Sequence, residues 1–247
     1  MKPAPLPQEM PSVSDAKTLL KLYQQGIRNF QAQTLRNIDL TGADLIGADF
    51  SRANLSGTNL SFAYLHRTNF RSSHLVRAQL GGATLNQANL SQANLQDASL
   101  HGASLQGAIL AGADLGLTDL TDANLIEADL RSANLCNANL TGACLRGANF
   151  REELSHGTSL QGATLDDADL QGANLKGVNL ERASLKRANL ANANLRGAIL
   201  KGANLEGVNL QGAVLSDIDG SNANFSQASL QDTKWERANL SNANLSE

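Results

Sequence analysis

The sequence predicts an all-β solenoid: four-sided coils of 20 residues, preceded by a short helix. Two observations predict the coiling. A large apolar residue stands at every fifth position from Phe30 to Leu245 except at Ser155 and Gly220; Leu fills 36 of these 44 positions, Phe five and Trp235 one, so the beat is a rule of the chain. Two residues before each large residue stands a small one, Ala in 31 of the 42 slots from 38 to 243. A third observation, the spacing of the exceptions, predicts four sides. An internal repeat sustained this far outranks any local signal.

A period of five fits no continuous regular element. On a helix five residues advance about 500°, so successive Leu would walk around the cylinder. On a straight strand an odd period sends successive Leu to opposite faces. Ala and Leu two apart do share one face of an extended segment, so the chain must bend between each Leu and the next Ala. Short extended sides joined by regular turns leave Ala and Leu inside. The positions between and after them face water, which is why they are Asn, Asp, Ser, Gln, Gly, Arg and Lys.

The exceptions count the sides. Phe30, Phe50, Phe70 and Phe150 differ by multiples of 20. In the small slot the β-branched residues are Ile38, Thr58, Thr68, Thr118, Thr158, Val178, Val208, Ile218 and Thr233, and six of them share one remainder on division by 20. A 20-residue coil with four sides stacks like side chains in columns. Because the β-branched column continues past 151–157, that irregular stretch is expected to add no net residue to its coil.

Tandem A(D/N)LXX repeats are the mark of the pentapeptide repeat family, which the chain resembles over residues 30–247. The resemblance implies a right-handed quadrilateral β-helix. About eleven coils at ~4.8 Å each make a rod on the order of 50 Å long.

In chain order, residues 1–13 hold all four prolines and are expected to form a flexible tail. Residues 14–29 predict a helical cap: Ser14 or Asp15 as N-cap, an apolar patch of Leu19, Leu20, Leu22 and Tyr23, and Gly26 as the stop. Such a cap covers the bare strand edge that a solenoid end presents. The entry GIRNFQAQTLRNIDLTGADL is similar to cyanobacterial members of the family, the heterocyst-inhibiting regulator in particular.

Residues 40–76 place apolar side chains outward: Ile46, Phe62, Tyr64 and Val76, among Arg52, His66, Arg67, Arg71, His74 and Arg77. One reading is scattered surface apolar residues, which are normal. The other is a partner-binding patch with Phe62 and Tyr64 as anchors and His66 and Arg67 on its rim. Charge is banded along the chain. Between Arg77 and Arg131 there is no Lys or Arg but there are six carboxylates, whereas Lys176 to Lys201 carries six cations against Glu181 alone.

FREELSHGTSL breaks the pattern, with Glu153 in a small slot, Ser155 in a large one and Leu154 out of phase. An unpaired charge is not buried in such a core, so 151–157 is expected to bulge as a loop. It is either a tolerated defect or a recognition loop offering Glu152, Glu153, Leu154 and His156. At 218–220 a large Ile and a small Gly exchange places, so volume is conserved. The repeat runs to the end with Trp235 in a large slot, and two such end coils could meet as a homodimer.

Catalytic chemistry is not expected. The four His (His66, His74, His101, His156) lack metal-binding spacing, Cys136 and Cys144 fall on different sides of a coil, and the many Asp occupy the motif's slot before Leu. The glycines belong to turns without the strand–Gly–helix setting of a phosphate loop. No apolar run approaches the ~18 residues of a membrane span, and the start has no apolar signal region, so a cytoplasmic location follows. A net charge of −3 names no partner class. These features predict a non-enzymatic, cofactor-free protein-interaction scaffold, which the resemblance makes a regulator binding a signalling or transcription-control protein. The alternative it offers is a DNA-mimicking inhibitor or protector of gyrase. Mimicry needs a continuous acidic lane, and the basic bands interrupt one.

Overall fold

The computed structural model describes residues 13–151 and 157–246. They form a quadrilateral β-helix led by helix α1 (Ala16–Gln24). Each side is three residues long and pairs in parallel with the side 20 residues on, as in Asn29 with Asp49 and Asp49 with Asn69. Turns recur every five residues, four to a coil.

One repeat shows why the motif takes this shape. Within residues 59–63 every backbone N–H has an acceptor. Asn59 N–H donates back to Ile38 O (3.0 Å), Leu60 forward to Gln79 O (2.7 Å) and Phe62 forward to Gly81 O (2.9 Å). Ala63 N–H closes the turn onto Leu60 O (3.1 Å). Only Ser61 lacks a backbone acceptor, and the Asn59 side-chain oxygen takes it at 3.0 Å. That is the reason for Asn or Asp before Leu: a short side-chain acceptor satisfies the amide two residues on. The second turn residue lies at positive φ, as in Gly42 (65°), which with the bond from Ala43 to Leu40 makes a type II turn.

Inside, the Leu and Ala columns are fully buried from Leu45 to Leu215. Phe30, Phe50 and Phe70 stack face to face, with ring centroids 5.4 and 5.6 Å apart. At three of the positions where Thr replaces Ala, its hydroxyl donates to a carbonyl of the previous coil: Thr58 to Leu35, Thr68 to Leu45, Thr118 to Leu95. Ile218 is buried, and a Cβ placed on Gly220 would stand 3.0 Å from Leu240, so neighbours fill the missing volume as the composition predicts.

Asp15 is the N-cap of α1, its carboxylate accepting from Thr18 N–H at 2.8 Å. Gly26 (φ 90°) ends the helix in a Schellman arrangement: Ile27 N–H reaches Leu22 O (3.1 Å) and Gly26 N–H reaches Tyr23 O (3.0 Å). Leu19 is buried, and Leu20, Leu22 and Tyr23 pack on the first coil. Val13 is buried as well, and its N–H donates to the Gln33 side chain.

The register at 151–157 corrects the expectation of no net residue. Asp129 pairs with Asn149 at a spacing of 20, but Asn134 pairs with Ser159, Asn139 with Thr164, Cys144 with Asp169 and Asn149 with Asn174, all at 25. One coil is five residues longer than its neighbours. Because the surplus equals one repeat, the five-residue beat conceals it. The β-branched column therefore does not run through: Thr158 stands over Ala133, in a different column from Thr118, and its hydroxyl reaches both Leu130 O and Phe150 O. The same shift puts Trp235 in the Phe30–Phe50–Phe70–Phe150 column, by way of Leu175, Leu195 and Leu215.

Removing 152–156 joins Arg151 to Gly157 and restores the ordinary repeat RGTSL, with Gly at the positive-φ position. The 152–156 deletion is expected to fold with an unchanged or higher melting temperature. Loss of the far-UV circular dichroism spectrum would show that these residues are structural.

Candidate protein-binding surface

Phe62 occupies a corner, Tyr64 the next side, and His66 with Arg67 the next corner of the same coil. Phe62 is 68% and Tyr64 54% exposed, as the outward positions predict. Phe62 adopts φ 58°, a costly backbone for a bulky side chain. Its ring lies over Gly82, where an added Cβ would stand 2.6 Å away. An apolar cleft lined by Ser61, Phe62, Gly81, Gly82, His101 and Gly102 continues down that corner. Arg67 Nε donates to Gln87 across one coil at 2.9 Å, which holds the guanidinium at the patch edge.

Helix α1 borders the same face, a neighbourhood the repeat pattern does not reveal. Tyr23 OH donates to Ile46 O (2.9 Å), beside the Asp44 carboxylate at 3.4 Å, and Asp44 pairs with Tyr64. Arg28 lies 3.7 Å over the Tyr23 ring. Ile46, 42% exposed, completes the patch. The wider Arg rim does not assemble: Arg52 and Arg71 meet at the diagonally opposite corner, His74 faces the adjoining side, and Val76 with Arg77 takes the fourth corner. Glu152, Glu153, Leu154 and His156 lie outside the described residues. Arg151, the last described residue before them, stands on the corner diagonal to Phe62 and several coils further on.

The carboxylates serve the scaffold. Asp39 is held below the usual carboxylate range by the Thr41 hydroxyl and then the Thr41 N–H, and Asp219 by the Ser221 hydroxyl and then its N–H. Asp217 is lowered chiefly by Arg237, which it binds through both oxygens at 2.5 and 2.9 Å. Among the described residues no group of His, Cys, Asp and Glu could hold a metal ion, and no helix is long and apolar enough to cross a membrane. Cys136 and Cys144 are free and half-buried.

The pattern of pentapeptide repeats matches residues 34–71, 73–112, 113–151, 156–190, 179–217 and 221–247, in eight copies. Among solved structures, HetL, a pentapeptide repeat protein involved in heterocyst differentiation regulation from the cyanobacterium Nostoc sp. strain PCC 7120, is 36% identical. The match covers 94% of this chain and 95% of that one, with a TM-score of 0.38. QnrB1, a plasmid-mediated fluoroquinolone resistance protein, is 16% identical over 87% of this chain and 94% of that one, with a TM-score of 0.47. Rfr23, from the cyanobacterium Cyanothece 51142, is 28% identical over 43% of this chain and 90% of that one, with a TM-score of 0.30. No curated protein matches significantly. The repeat pattern across most of the chain, together with 36% identity along nearly the whole of HetL, establishes that this chain belongs to the pentapeptide repeat family.

Proposed function

We propose that the chain is a non-enzymatic scaffold that binds a regulatory protein through the face centred on Phe62 and Tyr64. The observation that carries this reading is two exposed aromatic rings, 68% and 54% accessible, held on a hydrogen-bonded coil. Rigid aromatic anchors lose little entropy on binding and supply the largest share of interface energy. The finer form of this reading is a partner in signalling or transcription control.

Phe62→Ser with Tyr64→Ser is expected to leave the circular dichroism spectrum and melting temperature unchanged. It is expected to weaken capture of the native partner by about 2 kcal/mol or more, as for a hot-spot pair. Partner binding at wild-type strength would remove this face from consideration. The 152–156 deletion is the parallel test of Glu152, Glu153, Leu154 and His156. A gyrase supercoiling assay addresses the DNA-mimicking alternative, and neither inhibition nor quinolone protection is expected.

A homodimer is the other interaction proposed. Around 228–246 the core residues Leu230, Trp235 and Leu240 are only half-buried and Leu245 is 50% exposed, so a second copy would cover apolar surface there. Light scattering is expected to give a dimer mass that Leu240→Arg with Leu245→Arg halves. A concentration-independent monomer mass would exclude it.

A further inference from the structure

The long coil has a consequence for charge. With a spacing of 20 throughout, Arg151 would be followed on its corner by Gln171 and Ala191. The five-residue surplus brings Lys176 and Arg196 there instead. Arg151, Lys176 and Arg196 line one cleft of about 360 Å³ with Gly177, Gly197 and Asp217. The three cations are exposed and lie on successive coils, at ~4.8 Å per step. Arg151 and Lys176 have no ion-pair partner among the described residues, while Arg196 reaches Asp217 at 3.0 Å. Gly177 and Gly197, at φ 73° and 70°, keep the floor between them at backbone level.

We infer that this corner is an interaction edge for an extended acidic segment of a partner protein. The reading rests on the protein-binding role above and specifies the chemistry of a second contact, on the corner diagonal to Phe62. A small phosphate would look for free amides, but those of the cleft are already used. Lys176 and Arg196 N–H donate to Asn174 and Asn194, and Gly177 and Gly197 N–H to Arg196 O and Ser216 O. Recognition is left to three spaced side chains, which suits carboxylates distributed along a chain. A nucleic acid needs a longer basic lane. Here Asp217 closes one end of the cleft, Asp129 engages Arg131 one coil before the other, and the chain carries a net charge of −3.

The test is fluorescence anisotropy of a labelled oligoglutamate peptide with the full chain at low ionic strength. Binding is expected, weakening as salt is added. Arg151→Glu with Lys176→Glu is expected to weaken it about tenfold or more, while Arg77→Glu, on another corner, changes it little. Phe62→Ser with Tyr64→Ser should bind the peptide normally, and the 152–156 deletion, which removes Glu152 and Glu153, should bind it at least as well. The inference is overturned if the peptide does not bind, if the corner variant binds it like the wild type, if the deletion abolishes binding, or if duplex DNA binds more tightly. Any of these outcomes leaves the partner-capture test of Phe62 and Tyr64 standing.

Discussion

Leu105→Lys is expected to unfold the rod, whereas Gln106→Lys, one residue on, shifts the melting temperature little. Leu105 is fully buried, with its N–H committed to Asn124 O at 2.7 Å and its carbonyl accepting from Ala108 at 2.9 Å, so the backbone cannot swing the side chain out without breaking the ladder. An ammonium held there has no counter-ion within the Leu and Ala columns, and an uncompensated buried charge costs about 3–5 kcal/mol. That approaches the whole stability of an ordinary domain, about 5–15 kcal/mol. In a solenoid each coil is stabilised by its neighbours, so a defect in a central coil also weakens those on both sides. Gln106 is an exposed turn residue whose backbone alone takes part in the ladder. Thermal melts followed by circular dichroism distinguish the pair, and similar losses for both would overturn the four-sided assignment of inside and outside.

Phe50→Ala is expected to cost about 3–5 kcal/mol, and Phe50→Leu much less. Phe50 is the middle ring of a stack, with Phe30 and Phe70 on either side at interplanar angles of 18° and 12°. Truncation removes both ring contacts and opens a cavity that the coils cannot close, because each is hydrogen-bonded at a fixed spacing to the next. Leu is the residue the scaffold itself uses at most of these positions, so Phe50→Leu restores an ordinary layer and loses only the extra ring area. Urea unfolding measures both. A Phe50→Ala midpoint no lower than that of Phe50→Leu would mean that the stacked column contributes little.

Inside and outside were legible because one short motif states its geometry 40-odd times over. Leu and Ala two apart on a three-residue side, with Asn or Asp in many repeats to satisfy the turn amide and Gly at many of the positive-φ corners, are local features read within a single repeat. The cap of α1 was legible for the same reason: Asp15 and Gly26 act on amides within three or four residues. The outward placement of Phe62 and Tyr64 follows from their phase alone.

Other features depend on which coil lies above which. The Arg residues between 52 and 77 are close in sequence, yet 20 residues carry the chain around all four sides, so only His66 and Arg67 adjoin the aromatic rings. The contact of Tyr23 with Ile46 joins the helix to that face through residues 23 apart, which no repeat phase encodes. The surplus at 151–157 is the clearest case. A five-residue insertion leaves every later Leu in step, so the sequence by itself determined a coiled rod with a Leu and Ala interior but not the alignment of its two parts. Only the tertiary structure decided that Thr158 stands over Ala133, that Trp235 joins the Phe column, and that Arg151, Lys176 and Arg196 share one corner. The physical reason is that the motif satisfies its own turns locally, while column identity is set by hydrogen bonds between coils, whose spacing can change from 20 to 25 without shifting the phase of any later repeat.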